Sequence, residues 1–217
     1  MTTATRTDET IRRDLIGALA GCVAEKGYAA TTIADIVAMA RVSKRTFYEH
    51  FSGKEDCLLA LYEHACSGLV KVIRGAGTID QRWPQRISDG AAAFLSALDS
   101  MPEFSRTLLV EMQGAGERAF RLRQETLRGF ASTLVELINA ARPANPEIGP
   151  LTLSQALAIV GGINELLLQA LDPYVGPPRG ERPFSALHAD VVMLISAMLT
   201  YRAAAGIWPV ADGSASM

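Results

Sequence analysis

Thr31 to Phe51 reads T-T-I-A-D-I-V-A-M-A-R-V-S-K-R-T-F-Y-E-H-F. Two short helices joined by a tight turn account for it. Thr32 is an N-cap for the first, with the Asp35 carboxylate three residues on, where it suits the positive helix end. Ile33, Ile36, Val37 and Ala40 then repeat at spacings of three and four on one face. The pattern breaks at Arg41-Val42. Ser43 is a natural cap for a second helix, Lys44 to His50, in which Phe47 and Phe51 turn inward. Lys44, Arg45, Thr46 and Tyr48 are left on the outer face.

This is the layout of a helix-turn-helix, whose second helix enters the DNA major groove. Lys44 and Arg45 suit phosphates or a guanine edge, and Thr46 can meet a phosphate, a base edge or a thymine methyl. Tyr48 and His50 have the reach for the backbone. A mixed-charge surface hairpin would share the periodicity but not the particular string. V-S-K-R-T-F-Y-E-H-F-S-G-K-E resembles the DNA-binding domain of TetR-type transcriptional repressors, which reads A-G-V-S-x-x-T-x-Y-x-H-F-x-x-K-E. Ala40, Val42, Ser43, Thr46, Tyr48, His50, Phe51, Lys54 and Glu55 match. Arg41 departs, because the family's turn residue is glycine. A non-glycine forced to positive φ there carries roughly 1 kcal/mol of strain.

The resemblance implies an all-α chain in two parts. Residues 1–52 form a three-helix DNA-binding head, and 53–217 form a body of about six helices for effector binding and dimerisation. The DNA-facing set is then Thr32, Arg41, Ser43, Lys44, Arg45, Thr46, Tyr48, His50 and Lys54, with Lys54 on a phosphate at a helix N-terminus.

Composition agrees. The 217 residues are 49% hydrophobic and 20% charged, which describes a globular chain able to bury a core. A net charge of −2 conceals an asymmetry: eight basic side chains face six acidic ones through Lys54, leaving 13 against 17 beyond it. Cys22, Cys57 and Cys66 form no C-x-x-C pair and read as buried thiols in a reducing cytoplasm. The absence of a signal peptide points to the same compartment.

Along the chain, Met1–Arg6 is a tail. Ile11, Leu15, Leu19 and Val23 then mark a helix that starts near Thr7 and ends at Gly27. Ser52-Gly53-Lys54-Glu55 reads as a capping box opening a fourth helix. Trp83-Pro84 opens a fifth, and Met101-Pro102 precedes a short one bearing Phe104, Leu108, Leu109 and Met112. A long helix from Glu117 to Ala141 places Phe120, Leu127, Phe130, Leu134, Leu137 and Ile138 inward. Thr152-x-x-Gln155 caps a helix reaching Leu171, and the last runs from Ser185 to about Ala205, closed by Gly206. These two are apolar around most of their circumference, so they read as buried on two sides. Polar and charged residues interrupt or bound them, which argues against a membrane span. Family resemblance makes them a four-helix homodimer interface, with Gly161-Gly162 allowing close approach.

The resemblance also implies an effector cavity in the body. Phe94, Phe104, Leu108, Met112, Phe130 and Leu168 are its candidate apolar lining; Asn164, Glu165 and Gln169 are polar candidates for either the cavity or the dimer interface. The composition favours a mainly apolar ligand. No catalytic motif, metal-ligand spacing or cofactor fingerprint appears, so neither an enzyme nor a metal or cofactor site is expected. The expectation is a dimeric repressor on a palindromic DNA operator, released by a small apolar effector. The alternative is a thiol-based redox regulator acting through Cys57 or Cys66.

Overall fold

A computed structural model describes residues 7–77, 81–100, 105, 107–114, 116–171 and 183–200. The expected tail, the Met101-Pro102 break, Phe104 and the end of the last helix beyond Thr200 lie outside the described residues. Among those described there is no strand, and the all-α expectation holds.

The head follows the sequence closely. Helix α1 (Asp8–Ala30) starts on Thr7, whose hydroxyl accepts from the Thr10 N–H at 3.3 Å. Gly27 interrupts it with φ of +79°, and one further turn follows. Helix α2 (Ile33–Ala40) opens on a complete capping box: Thr32 Oγ1 accepts from the Asp35 N–H, and Asp35 Oδ2 accepts from the Thr32 N–H at 2.8 Å. Helix α3 (Lys44–His50) is capped by the Ser43 hydroxyl, which accepts from the Thr46 N–H at 3.0 Å. Leu15, Leu19, Ile36 and Phe47 are wholly buried between these helices. Gly21 leaves room for the Met39 thioether, since a Cβ there would lie 2.7 Å from its Sδ.

Helix α4 (Lys54–Gly75) links head to body. Its opening differs from the S-x-x-E reading. Gly53 is the N-cap with no side-chain bond, and Asp56, four residues after Ser52, accepts from the Ser52 N–H at 3.0 Å and its hydroxyl at 3.2 Å. The shorter, nearer carboxylate reaches back where Glu55 stays exposed. Cys57 to Tyr62 are six consecutive buried residues, so this half of α4 is enclosed on all sides.

The body contains α5 (Trp83–Asp99), α6 (Glu117–Ala141), α7 (Leu153–Leu171) and α8 (His188–Thr200). A π-helical turn, Thr107–Glu111, runs into Met112–Gly114 before α6. Thr152 and Gln155 cap α7 reciprocally, at 2.9 and 3.3 Å. Asp99 accepts from the Phe184 and Ser185 N–H groups at 2.6 and 2.9 Å, tying the approach to α8 onto the end of α5.

Two apolar cores result. One joins the head to the first half of α4, Leu108, Met112 and Ala119. The other fills the body around Leu95, Ala131, Ile159 and Val191. Helix α6 meets both, which explains why Phe120 is 55% exposed against expectation. Its first turn turns Ala119 toward the head core, so the neighbouring position faces out.

Arg41 sits at φ 54°, ψ 49°, the left-handed conformation that the family's glycine adopts freely. Arg41→Gly should therefore raise stability by about 0.5–1 kcal/mol, read from urea unfolding. Two carboxylates set an acid limit. The Lys26 ammonium at 2.7 Å, followed by the Thr32 donors, holds Asp35 well below the usual range. The Ser52 N–H leads the causes that lower Asp56. Folded values below the unfolded one near about 3.9 mean that their contribution is full above that pH and is lost as pH falls through the folded values. Asp56→Asn should flatten the dependence of stability on pH below about 4, measured by unfolding across pH.

Candidate functional site

The outer face of the head holds the expected DNA-reading residues, but their side chains are not equally free. Arg41, Lys44 and Tyr48 are exposed, Tyr48 at 57%. Arg45 is also exposed and pairs along its own helix with Glu49 at 3.1 Å, an arrangement worth only a few tenths of a kcal/mol. The hydroxyls of Ser43 and Thr46 bond each other at 2.9 Å. Thr32 donates its hydroxyl to Asp35 at 2.6 Å. These three polar groups hold helix starts, while the four long side chains project outward from the head. His50 is half-buried.

Lys54 holds the joint between the head and α4. Its ammonium donates to the Tyr28 and Thr31 carbonyls at 2.9 and 2.8 Å and lies 4.2 Å from the centre of the Tyr28 ring. It ties the start of α4 to the end of α1, taking two of its three donors. Arg12 stacks on Phe51 at 4.6 Å in the same joint. The sequence could not distinguish these uses, because a lysine at a helix N-terminus suits a carbonyl cluster as well as a phosphate. Lys54→Ala should lower the unfolding free energy by about 1–3 kcal/mol, while solvated Lys44→Ala should stay within about 0.5 kcal/mol. Urea denaturation of both variants checks this.

Behind the head, α4 and α6 run parallel. Arg118 donates to Asp56 at 3.0 Å near their N-terminal ends, and Arg74 donates to Glu136 near their C-terminal ends. Both pairs join residues 62 apart in sequence. The interval from Asp56 to Arg74, like that from Arg118 to Glu136, is about five turns at 3.6 residues per turn, so each helix uses one face for both ties. These ties fix the register of the two rods.

Between α4, α5, α6 and α7 lies a cavity of about 190 Å³. Of the expected lining, Phe94, Leu108, Phe130 and Asn164 are on its wall. Phe94 and Phe130 meet edge to face, 6.3 Å between ring centres. Met112 is not on the wall; it is wholly buried in the head core. Glu165 is exposed, accepting from Gln169 at 3.2 Å on the outer side of α7. The wall takes Leu167 rather than Leu168, one residue being a turn of about 100° around a helix. The reading missed Trp83, Arg86 and Arg123, which line the cavity. Arg123 stands on a helix with several other arginines, and only the packing of α6 on α4 turns it inward.

Helix α7 carries a second feature. By length and composition alone it would suffice to cross a membrane, with mean hydropathy 1.2. Ala156, Ile159 and Leu167 pack into the body. Leu153, Ala158 and Gly161 on α7 and Ala189, Met193 and Ala197 on α8 remain exposed, Met193 at 64%. Gly162 brings the two helices together within the chain, its Cβ position being 3.0 Å from Leu194.

Residues 15–61 match the sequence profile of bacterial regulatory proteins of the tetR family. An uncharacterized HTH-type transcriptional regulator, YxbF of Bacillus subtilis, is 28% identical over 97 residues, covering 45% of this chain and 25% of that protein. The shared stretch thus spans about a quarter of the relative's length. Among solved structures, the fatty acid degradation regulator FadR of Bacillus halodurans superposes with a TM-score of 0.69 at 19% identity, over 93% of this chain and all of the other. FadR of Bacillus subtilis, solved with stearoyl-CoA, gives 0.67 at 18% identity, over 88% and 99%. At such identities these matches speak to the fold. The head thus carries the helix-turn-helix of tetR-family regulatory proteins, and the all-helical fold is shared with these regulators over most of the chain.

Proposed function

We propose that the chain is a dimeric repressor that binds a palindromic operator and is released by a mainly apolar small molecule. The observation that carries this reading is the position of α4. Its first half is enclosed in the head core, and its second half supplies Leu69 and Ile73 to the cavity wall. A ligand that widens the space between α4 and α6 acts on the helix from which the head hangs. Leu108 belongs to the head core and to the cavity wall at once, giving a second point of coupling. The ligand shifts the balance only by its differential affinity for the two arrangements.

A second copy is the proposed occupant of the exposed apolar face of α7 and α8. One recognition helix reads few base pairs, and two heads about 34–36 Å apart make a palindromic site readable. The stearoyl-CoA bound by FadR and the apolar wall here together favour an effector with a long hydrocarbon part. The redox alternative has less support. Burial pushes the Cys57 and Cys66 thiols up to about 12, and burial likewise leads the causes that raise Cys22. Thiolate reactivity needs the opposite shift.

The test is binding of purified protein to the DNA just upstream of its own gene, at two salt concentrations with excess random competitor. Competitor-resistant binding is expected. Lys44→Ala should weaken all DNA and lower the salt slope by about one. Arg45→Ala should change sequence preference. Equal losses on specific and random DNA for both variants would exclude a sequence-reading role.

A further inference from the structure

The cavity wall carries charge that no described carboxylate pairs with. Its described lining includes two guanidiniums, Arg86 and Arg123, and no carboxylate. Neither arginine is in an ion pair with any described residue, whereas Arg118, Arg121 and Arg74 all are. The two lie at opposite ends. Arg123 shares one end with Tyr62, and Arg86 shares the other with Ala76 and the adjoining Gly77. Tyr62 to Ala76 is about 21 Å along α4 at 1.5 Å per residue. The space between is apolar, with Phe94, Phe130 and Leu134 on its wall.

We infer that the effector is an elongated amphipathic anion, with its hydrocarbon part along the α4–α6 seam and its anionic group on Arg123. This rests on the cavity being the effector site, and adds the charge and the orientation. A cation beside an apolar cavity interacts weakly with its surroundings until an anion arrives, and a planar guanidinium can then bind a carboxylate or phosphate through two parallel hydrogen bonds. Arg123 is preferred over Arg86 because it shares its end of the cavity with buried Tyr62, a continuation of the α4 segment enclosed in the head core. Binding at that end bears on the joint that the head depends on.

A free fatty acid presents a carboxylate directly on its hydrocarbon, whereas its coenzyme A thioester presents phosphates beyond a neutral pantetheine arm. The experiment titrates hexadecanoate, hexadecanoyl-CoA and the uncharged hexadecanol into the full-length protein, following the fluorescence of cavity-lining Trp83, with wild type, Arg123→Gln and Arg86→Gln compared. Trp208 is replaced by Phe throughout to keep the signal from Trp83. At least one of the two anions should bind the wild type about tenfold or more tightly than Arg123→Gln. Hexadecanol should bind both proteins alike, and the preferred anion identifies a carboxylate or a phosphate as the recognised group. If hexadecanol matches both anions in the wild type, the cavity reading stands and the anionic inference falls. Loss of anion affinity in Arg86→Gln alone would overturn the placement at Arg123. If none of the three binds, the cavity reading falls with it. Circular dichroism melts of both variants separate lost contact from lost folding.

Discussion

The enclosure of Cys57 to Tyr62 governs this structure. A helix buried on every side over six residues cannot slide or rotate without disturbing close-packed neighbours, and such interiors yield poorly to small shifts. The head core, the π-helical turn before α6 and the first turn of α6 all close around it. Because the helix is continuous to Gly75, displacement at its far half is carried to its near half as a lever rather than absorbed.

The polar contacts reinforce that lever at its ends. Lys54 binds it to the carbonyls closing α1, Asp56 binds it to Ser52 and to Arg118, and Arg74 binds it to α6. The ion pairs are partly exposed, so each contributes little stability by itself. Their value is geometric: two ties on one face forbid sliding while leaving room between the rods for a cavity. In the proposed switch, a ligand in that space works against two fixed ends, and tilt is the motion left to it.

The outer face of the head and the cavity of the body make different physical demands. Arg41, Lys44, Arg45 and Tyr48 stay solvated, which suits groups that exchange water and counterions for phosphate. The cavity instead surrounds its polar groups with hydrocarbon, where a charge finds few substitutes for water and discriminates strongly between ligands. Arg41 contributes to the first surface at the expense of an unfavourable backbone conformation, φ 54°.

The sequence by itself determined the head. Caps at Thr7, Thr32 and Ser43, the break at Gly27 and the apolar spacing of α1 to α3 are local signals, each acting within a turn or two of chain, so they could be read in order. Helix type and most boundaries in the body were legible for the same reason. Tertiary structure alone decided which way the body's side chains face. Phe120 and Ala119 are neighbours on one helix, and which is buried depends on where the head core meets α6. Leu167 rather than Leu168 reaches the cavity, Arg123 turns inward among other arginines that do not, and Lys54 takes carbonyls from α1. Each outcome is set by distant partners, as for Lys54, whose two carbonyls lie 23 and 26 residues away, and for Asp56 and Arg118, which are 62 apart. Periodicity fixes a face to within a third of a turn, and the choice between adjacent residues is made only when the helices pack.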